Sequence, residues 1–167
     1  MMEKKSCNMG NLFSDLEGLR IAIDMEARGR DFYKKAYEQA ETKSHKDLFM
    51  FLMNEESKHY EQFTGIYQKL RESKNYDSDD YLFDPETSKY LTALAEPCIF
   101  PKDKEERAKT LTDIIKAAIQ DEKDSILFYD ALAKYAKFEE ARNIFNLLKE
   151  EEQKHVVKLR EILNLLV

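Results

Sequence analysis

Apolar residues recur along most of the chain at the three- and four-residue intervals that place side chains on one face of an α-helix. Four long segments carry this pattern, at residues 15–41, 44–73, 111–137 and 139–165. Helix-capping signals stand at the start of two of them, Ser14 with Glu17 and Thr110 with Asp113. Only 4 Gly and 3 Pro occur in 167 residues, which favours long helices and few turns. The sequence therefore predicts an all-α protein.

The spacing between these segments predicts how they pack. The first two and the last two are separated by only a few residues, as in antiparallel helical hairpins. A longer crossover at 74–110 contains a short helix, predicted at about 86–96, because Pro85 suits a first helical position and Pro97 follows the segment. Two hairpins joined by one long crossover form the ferritin-like type of four-helix bundle, here predicted for residues 14–167.

The two halves of the chain are related by a repeat at an offset of 96 residues. Across residues 22–60, 12 of 39 positions are identical to the residue 96 positions further on. The matched pairs include Glu26 with Glu122, Phe32 with Phe128, Tyr33 with Tyr129, Glu56 with Glu152, and His59 with His155. The sequence therefore indicates an internal duplication of one helical hairpin.

Polar residues interrupt the apolar stripes at matching places. The second and fourth helices each carry a Glu-x-x-His pair in mid-stripe, and the first and third helices each carry one glutamate. Both members of a Glu-x-x-His pair project from the same helical face. The residues concerned are Glu26, Glu56, His59, Glu122, Glu152 and His155. We therefore expect four carboxylates and two imidazoles to meet inside the bundle.

Four buried carboxylates require compensation, because each costs several kcal/mol to remove from water and like charges repel one another. Two divalent cations would balance the four negative charges. One imidazole nitrogen and several carboxylate oxygens per metal suit iron, with manganese as the alternative. One Glu from each of two helices and Glu-x-x-His from the other two is also the known ligand pattern of ferritin-like dimetal proteins. The sequence thus predicts a dinuclear metal site.

With these residues, the chain resembles the rubrerythrin-like branch of the ferritin-like superfamily from the first long helix to the fourth. The resemblance implies a non-haem di-iron centre that reacts with hydrogen peroxide or dioxygen, as a peroxidase or ferroxidase. The matching residues are Met25-Glu26, Phe32-Tyr33, Glu56-Ser57-Lys58-His59, Glu122, Phe128-Tyr129 and Glu152-Gln153-Lys154-His155.

The resemblance also implies roles for the individual residues. The four glutamates would be carboxylate ligands, with Glu56 and Glu152 bridging the two irons, and each histidine would bind one iron. Tyr33 and Tyr129 lie close to two helical turns beyond the glutamates of the first and third helices. They would hydrogen-bond the ligand carboxylates and hold them in place.

The sequence departs from rubrerythrins proper in two respects. Those proteins carry a four-cysteine iron–sulfur domain, whereas this sequence has 2 Cys, and we expect Cys7 and the loop residue Cys98 to be free thiols. Electrons would then come from an external donor, such as a rubredoxin-like protein, or from Fe(II) itself. The family's extra glutamate after the third-helix ligand is replaced by Ser125, and the equivalent first-helix residue is Gly29. We expect these small residues to leave space for a dioxygen-sized substrate.

The net charge and the length of the apolar runs limit which partners and which cellular location we expect. The formal charge of −6 gives no basic surface for nucleic acid. There is no apolar run long enough to cross a membrane, and residues 1–13, predicted to be a flexible tail, lack the apolar core of a signal peptide. We therefore expect a cytoplasmic protein without nucleic-acid or membrane partners. The exposed faces of four long helices make a homodimer our expectation.

Two other functions are compatible with the same residues. An iron-binding or sequestration protein would need the ligands but no specific turnover. A purely structural bundle would retain them without binding metal. Glu55, Glu150 and Glu151 fall outside the apolar stripes, and we predict that they face solvent.

Overall fold

The computed structural model describes residues 13–73, 82–99 and 110–166, apart from the side chains at positions 97 and 99. These parts of the chain are almost entirely helical, which confirms the all-α prediction. The helices are α1 (Asp15–Gln39), α2 (Lys43–Glu72), α3 (Pro85–Ile99), α4 (Leu111–Tyr135) and α5 (Glu139–Leu166). Among the described helices, none combines the length and the apolar character needed to cross a bilayer.

The four long helices pair as the sequence predicts. α1 packs along α2, and α4 packs along α5, so that each half of the repeat forms one hairpin. The hairpins meet through α2 with α5 and through α1 with α4, while the crossover helix α3 lies against α4 and α1. Of the crossover predicted at 74–110, residues 74–81 and 100–109 lie outside the described residues.

Several helix boundaries differ from prediction by one to three residues. α1 ends at Gln39 rather than at residue 41, because Ala40 adopts an extended conformation with φ −69° and ψ 131°. α2 begins at Lys43, one residue earlier than predicted, because the Thr42 hydroxyl accepts a hydrogen bond from the backbone N–H of His45 and caps the helix. α3 continues to Ile99 instead of ending before Pro97, since a proline near a helix end removes only one backbone hydrogen bond.

The bundle begins at Phe13, one residue earlier than predicted. Phe13 is buried, and its ring lies 6.4 Å from that of Phe83. Its backbone N–H donates to the Ser88 hydroxyl, and its carbonyl accepts from the N–H of Phe83. Of the predicted tail, residues 1–12 lie outside the described part of the chain.

The apolar core consists of two clusters with polar residues between them. One cluster includes Phe63 of α2 and Phe128 of α4, and the other includes Leu52 of α2 and Ile115 of α4. Along each long helix, the change from one cluster to the other falls at a predicted metal ligand; in α2 it falls between Leu52 and Phe63, at Glu56 and His59. The fold thus holds the polar site between two layers of packed apolar side chains.

Asp15 fixes the start of one hairpin to the end of the other. Its buried carboxylate accepts hydrogen bonds from the backbone N–H groups of Lys137, at 2.9 Å, and Phe138, at 2.7 Å. Both residues precede α5, so Asp15 satisfies N–H groups that the helix itself leaves unpaired. Burial raises the pKa of Asp15 to about 6 in spite of these hydrogen bonds.

We predict that Asp15→Ala lowers the free energy of unfolding by about 1–3 kcal/mol, because two buried N–H groups lose their acceptor. Asp24→Ala is the matched control on the same helix: its side chain is 63% exposed and pairs only with the exposed Arg20. Asp24→Ala should lower the free energy of unfolding by less than about 1 kcal/mol. Urea unfolding of both variants tests the prediction, and equal effects would contradict it.

Candidate metal centre

The structure brings all six predicted ligand residues together in the middle of the bundle. Each of the four long helices contributes, and every one of these side chains is between 1% and 5% exposed. They are Glu26 on α1, Glu56 and His59 on α2, Glu122 on α4, and Glu152 and His155 on α5. The helical periodicity that placed them in the apolar stripes therefore also placed them inside the fold.

The six side chains form two overlapping groups whose potential ligand atoms lie within 4.8 Å of one another. Both groups share Glu56 and Glu152. One is completed by Glu26 and His59, and the other by Glu122 and His155. Each group thus contains three carboxylates and one imidazole. The shared carboxylates are the two that the family resemblance implied as bridges.

The imidazole Nδ1 atoms face the inside of this cluster. His59 Nδ1 lies 2.9 Å from Glu152 Oε1 and 3.3 Å from Glu26 Oε2. His155 Nδ1 lies 2.7 Å from Glu152 Oε2 and 3.5 Å from Glu122 Oε1. The two rings are nearly parallel, with centroids 5.6 Å apart. Both histidines therefore approach Glu152, each from its own side.

These atoms are close, yet most of them are not aligned to hydrogen-bond one another. Within the described residues, six buried side-chain atoms have no hydrogen-bond partner, and five of them belong to this cluster. The five are Glu26 Oε2, His59 Nδ1, both carboxylate oxygens of Glu152, and His155 Nδ1. Donor atoms that converge in this way, without satisfying each other, fit a pair of divalent cations in ligand type and in number.

Burial shifts the acidity of the shared carboxylates. Desolvation and the negative charges of Glu26 and Glu152 raise the pKa of Glu56 well above its usual value. Desolvation and the charges of Glu122 and Glu26 raise the pKa of Glu152 to about 8. Without a cation, these two glutamates therefore tend to hold a proton. A metal that binds them must displace it.

The pKa values of both histidines are also raised, because carboxylates surround the two rings. Burial alone would lower both values, but Glu152 and Glu26 raise the pKa of His59 to about 11. Glu122 and Glu152 raise the pKa of His155 to about 9. Although burial opposes its ionisation, the adjacent imidazole of His155 lowers the pKa of Glu122. Cations thus stabilise this cluster, whether they are protons or metals.

The two tyrosines contact the carboxylates of the opposite hairpin. The Tyr33 hydroxyl donates to Glu122 Oε1 at 2.5 Å, and the Tyr129 hydroxyl donates to Glu26 Oε1. Burial and the adjacent carboxylates raise the pKa of both phenols well above 10, so both remain protonated donors. Each tyrosine thus hydrogen-bonds a candidate ligand carboxylate, Tyr33 of α1 to Glu122 of α4 and Tyr129 of α4 to Glu26 of α1.

Glu151 contacts the site, although the sequence predicted that it faces solvent. Its carboxylate lies 2.9 Å from Nε2 of His59, the ring nitrogen that points away from the cluster. The side chain is 30% exposed, so the prediction was wrong about its role. Its repeat mate Glu55 is bridged to Lys58 instead, at 2.5 Å. The sequence contained a signal for this contact, because Glu55 and Glu151 are repeat mates and each immediately precedes a predicted ligand.

The neighbours of His155 differ from those of His59. The ring of Phe51 meets the His155 ring edge-on, with 6.3 Å between centroids, and the ammonium group of Lys158 lies 3.5 Å from the Phe51 centroid. The repeat mate of Phe51 is Leu147, which cannot make the same contact. The two halves of the site are therefore built from matching ligands in unlike surroundings.

Gly29 lines an open space beside the site, as predicted, and it also leaves room for Glu56. A Cβ atom at position 29 would lie 2.8 Å from Glu56 Oε2 and 3.1 Å from its Cδ. Distances below about 3 Å are too short for such a pair, so the carboxylate would have to move. Glycine at this position allows the backbone of α1 to approach a shared ligand.

Comparison with known proteins agrees with this fold and site. The family model for rubrerythrin matches residues 17–163. No protein of curated function matches the chain significantly. A solved structure of a hypothetical protein from Pyrococcus furiosus is similar, with a TM-score of 0.66 and 23% identity over 92% of this chain and 90% of that one. A putative ferritin-like diiron-carboxylate protein from Thermotoga maritima has a TM-score of 0.65 and 24% identity, over 92% and 97% of the two chains.

The fold and the site together define a ferritin-like bundle with a carboxylate- and histidine-rich centre. The chain belongs to the rubrerythrin family. This finding confirms the resemblance that the ligand motifs indicated.

The raised pKa values predict that the metal-free protein becomes less stable as the pH rises. A group that binds its proton more tightly in the folded state stabilises the fold below its unfolded pKa, and this contribution is lost as the pH passes the folded pKa. The windows run from 4.5 to about 8 for Glu152, from 6.5 to about 9 for His155, and from 6.5 to about 11 for His59. Glu122, whose pKa is lowered, contributes stability that is present above 4.5 and is lost only as the pH falls below that value, outside this range.

We therefore expect the melting temperature of the metal-free protein to fall between about pH 6 and pH 9. The melting temperature of protein loaded with Mn(II) should fall much less over this range, because the metal replaces the protons. Thermal unfolding followed by circular dichroism measures both. Glu152→Gln, which cannot ionise, should make the decline of the metal-free protein shallower. A melting temperature that rises over this range would contradict the assignment.

We predict that Gly29→Ala weakens metal binding roughly tenfold or more, because the added methyl group displaces the Glu56 carboxylate. Gly65→Ala is the matched control, since a Cβ there meets nothing within 4 Å. It should leave the metal affinity unchanged and stabilise α2 by about 0.5–1 kcal/mol. Competition for metal with a chromophoric chelator measures the affinities. Equal affinity in both variants would show that Glu56 does not need this space.

Proposed function

We propose that this protein is a non-haem di-iron oxidoreductase, which reduces hydrogen peroxide or dioxygen with electrons from a di-iron(II) centre. The observation that carries the proposal is the pair of overlapping ligand groups with two shared carboxylates. Two adjacent metals can deliver two electrons to one oxidant. Two separate single-metal sites could not do so without a further transfer step.

The choice of iron rests on ligand chemistry and on relatives. Three carboxylates and one imidazole per group suit iron or manganese better than soft metals, which prefer thiolates. The family is named after rubrerythrin, and the similar Thermotoga maritima protein is described as a diiron-carboxylate protein. Manganese remains the alternative metal, because the same oxygen-rich ligands accept it.

In this proposal, iron supplies the electrons and the chain supplies charge balance, orientation and proton donors. Glu26 and His59 would hold one iron, and Glu122 and His155 the other. Glu56 and Glu152 belong to both ligand groups. Tyr33 and Tyr129 keep the outer carboxylates oriented through hydrogen bonds from protonated hydroxyls. Reducing hydrogen peroxide to two waters consumes two electrons and two protons, so two Fe(II) become two Fe(III).

Repeated turnover needs a source of electrons, and we propose a separate redox protein of the rubredoxin type. We also propose that the protein is a homodimer. The large apolar side chains Met50, Phe51 and Leu147 are 36–45% exposed on the outer surfaces of α2 and α5, where a second copy could cover them. Light scattering would measure the solution mass.

We predict that an anaerobic Fe(II) titration of the metal-free protein saturates near two tightly bound ions per chain, one for each ligand group. Glu152→Ala removes a carboxylate common to both groups and should reduce tight binding to about one ion or none. Glu150→Ala is the matched control, because Glu150 lies two positions away on the exposed face of α5. Saturation at one ion or none in the parent protein would overturn the di-iron proposal.

The loaded protein should then be mixed separately with hydrogen peroxide and with dioxygen. Oxidation of both ferrous ions within one kinetic phase would support the oxidoreductase. Glu152→Ala, which should hold at most one tightly bound ion, should lack this phase. Tight binding of two ions without reaction toward either oxidant would instead favour iron sequestration.

A further inference from the structure

A cavity leads from the surface to one side of the candidate centre. It lies between α1 and α4, beside the crossover helix α3, and its volume is about 230 Å³. Its lining includes the carboxylates of Glu26, Glu56 and Glu122, but neither of the candidate histidine ligands. The cavity therefore reaches the metal ligands from the side opposite His59 and His155.

This cavity is larger than the proposed oxidants require. A dry cavity of about 150 Å³ is sufficient to hold benzene. Pockets for drug-sized ligands begin at about 300 Å³. A cavity between these sizes suits a small organic molecule, whereas hydrogen peroxide and dioxygen each contain only two heavy atoms. Size alone thus indicates that the site admits more than these two oxidants.

The walls near the carboxylates are suited to an apolar group. Met25 of α1 and Ala118 of α4 are buried residues of the lining, and Phe32 and Cys98 add a partly buried ring and a sulfur atom. Ser125 belongs to the same wall, but its hydroxyl donates to the carbonyl oxygen of Asp121 in its own helix, at 3.1 Å. Its hydroxyl proton is therefore directed to its own backbone rather than to a ligand.

The charged side chains of the cavity lining differ in exposure, and Arg28, Asp121 and Asp124 are half-buried. Asp31 and Lys35 are exposed and line the cavity where it meets solvent. Glu26 and Glu122 are buried at the inner end, and Glu26 Oε2 has no hydrogen-bond partner. A ligand with one small polar end and one apolar group would match this arrangement, with its polar end toward the carboxylates.

We propose that this cavity binds the organic group of an alkyl or aryl hydroperoxide, so that the site reduces organic hydroperoxides as well as hydrogen peroxide. The inference rests on the proposed function, which supplies the electrons. The O–O bond breaks, two Fe(II) are oxidised to two Fe(III), and two protons are taken up. The products are the corresponding alcohol and one water.

Ser125→Leu tests the proposal by placing a branched side chain in the cavity wall without removing a hydrogen bond between helices. Lys123→Leu is the matched control, because Lys123 is exposed on the same helix and is absent from the cavity lining. Far-UV circular dichroism and the Fe(II) titration establish that both variants fold and retain their metal. The parent protein provides a test that does not depend on either variant.

The first readout is binding to metal-free protein. The probe is 2-phenyl-2-propanol, the alcohol formed from cumene hydroperoxide, and saturation-transfer NMR detects it. We expect a signal with the parent and with Lys123→Leu, and a reduction of about tenfold or more in affinity with Ser125→Leu. No binding to the parent would overturn the proposal, even if the loaded protein reacts with hydrogen peroxide.

The second readout is the rate at which Fe(II)-loaded protein is oxidised by cumene hydroperoxide, divided by its rate with hydrogen peroxide. Ser125→Leu should lower this ratio about tenfold or more, and Lys123→Leu should leave it unchanged. An unchanged ratio in Ser125→Leu, or no reaction of the parent with cumene hydroperoxide, would overturn the inference while the proposed function stands. Failure of the parent to react with any oxidant would instead refute the proposed function.

Discussion

The structure depends on the burial of four carboxylates and two imidazoles between two apolar clusters. Charged groups in such a place are tolerated only when cations accompany them, and here protons or metals must supply the positive charge. Every long helix contributes at least one of the six groups, so the helices cannot slide or rotate independently without separating them. Tyr33 and Tyr129 reinforce this arrangement, because each joins a helix of one hairpin to a carboxylate of the other.

Much of this organisation could be predicted from the chain alone. A glutamate in the middle of an apolar helical stripe is improbable as a structural residue, and six such interruptions at one repeat offset specify a site. Periodicity determines which face of a helix a residue occupies, and this information was sufficient for Glu26 and Glu122. The hairpins followed from the short links between helices, because helices so connected have few ways to pack.

The features that escaped prediction depend on contacts between distant parts of the chain. Glu151 lies beside the apolar stripe of α5, but His59 of α2 reaches it from the neighbouring helix. The smallness of Gly29 suggested free space, yet the Glu56 carboxylate fills part of it. Asp15 looked like a residue of the first helical turn, and its partners Lys137 and Phe138 stand more than a hundred positions away. Sequence periodicity carries no information about such distances.

The unlike surroundings of the two histidines have an evolutionary consequence. In a bundle made of two identical hairpin chains, any substitution beside one imidazole would appear beside both. Joining the copies in one chain removed that coupling, so Glu151 could come to accept from one ring while Glu55 formed an ion pair with Lys58. The two halves of the site can therefore differ in function. His59 has the carboxylate of Glu151 behind it, whereas His155 has the aromatic ring of Phe51.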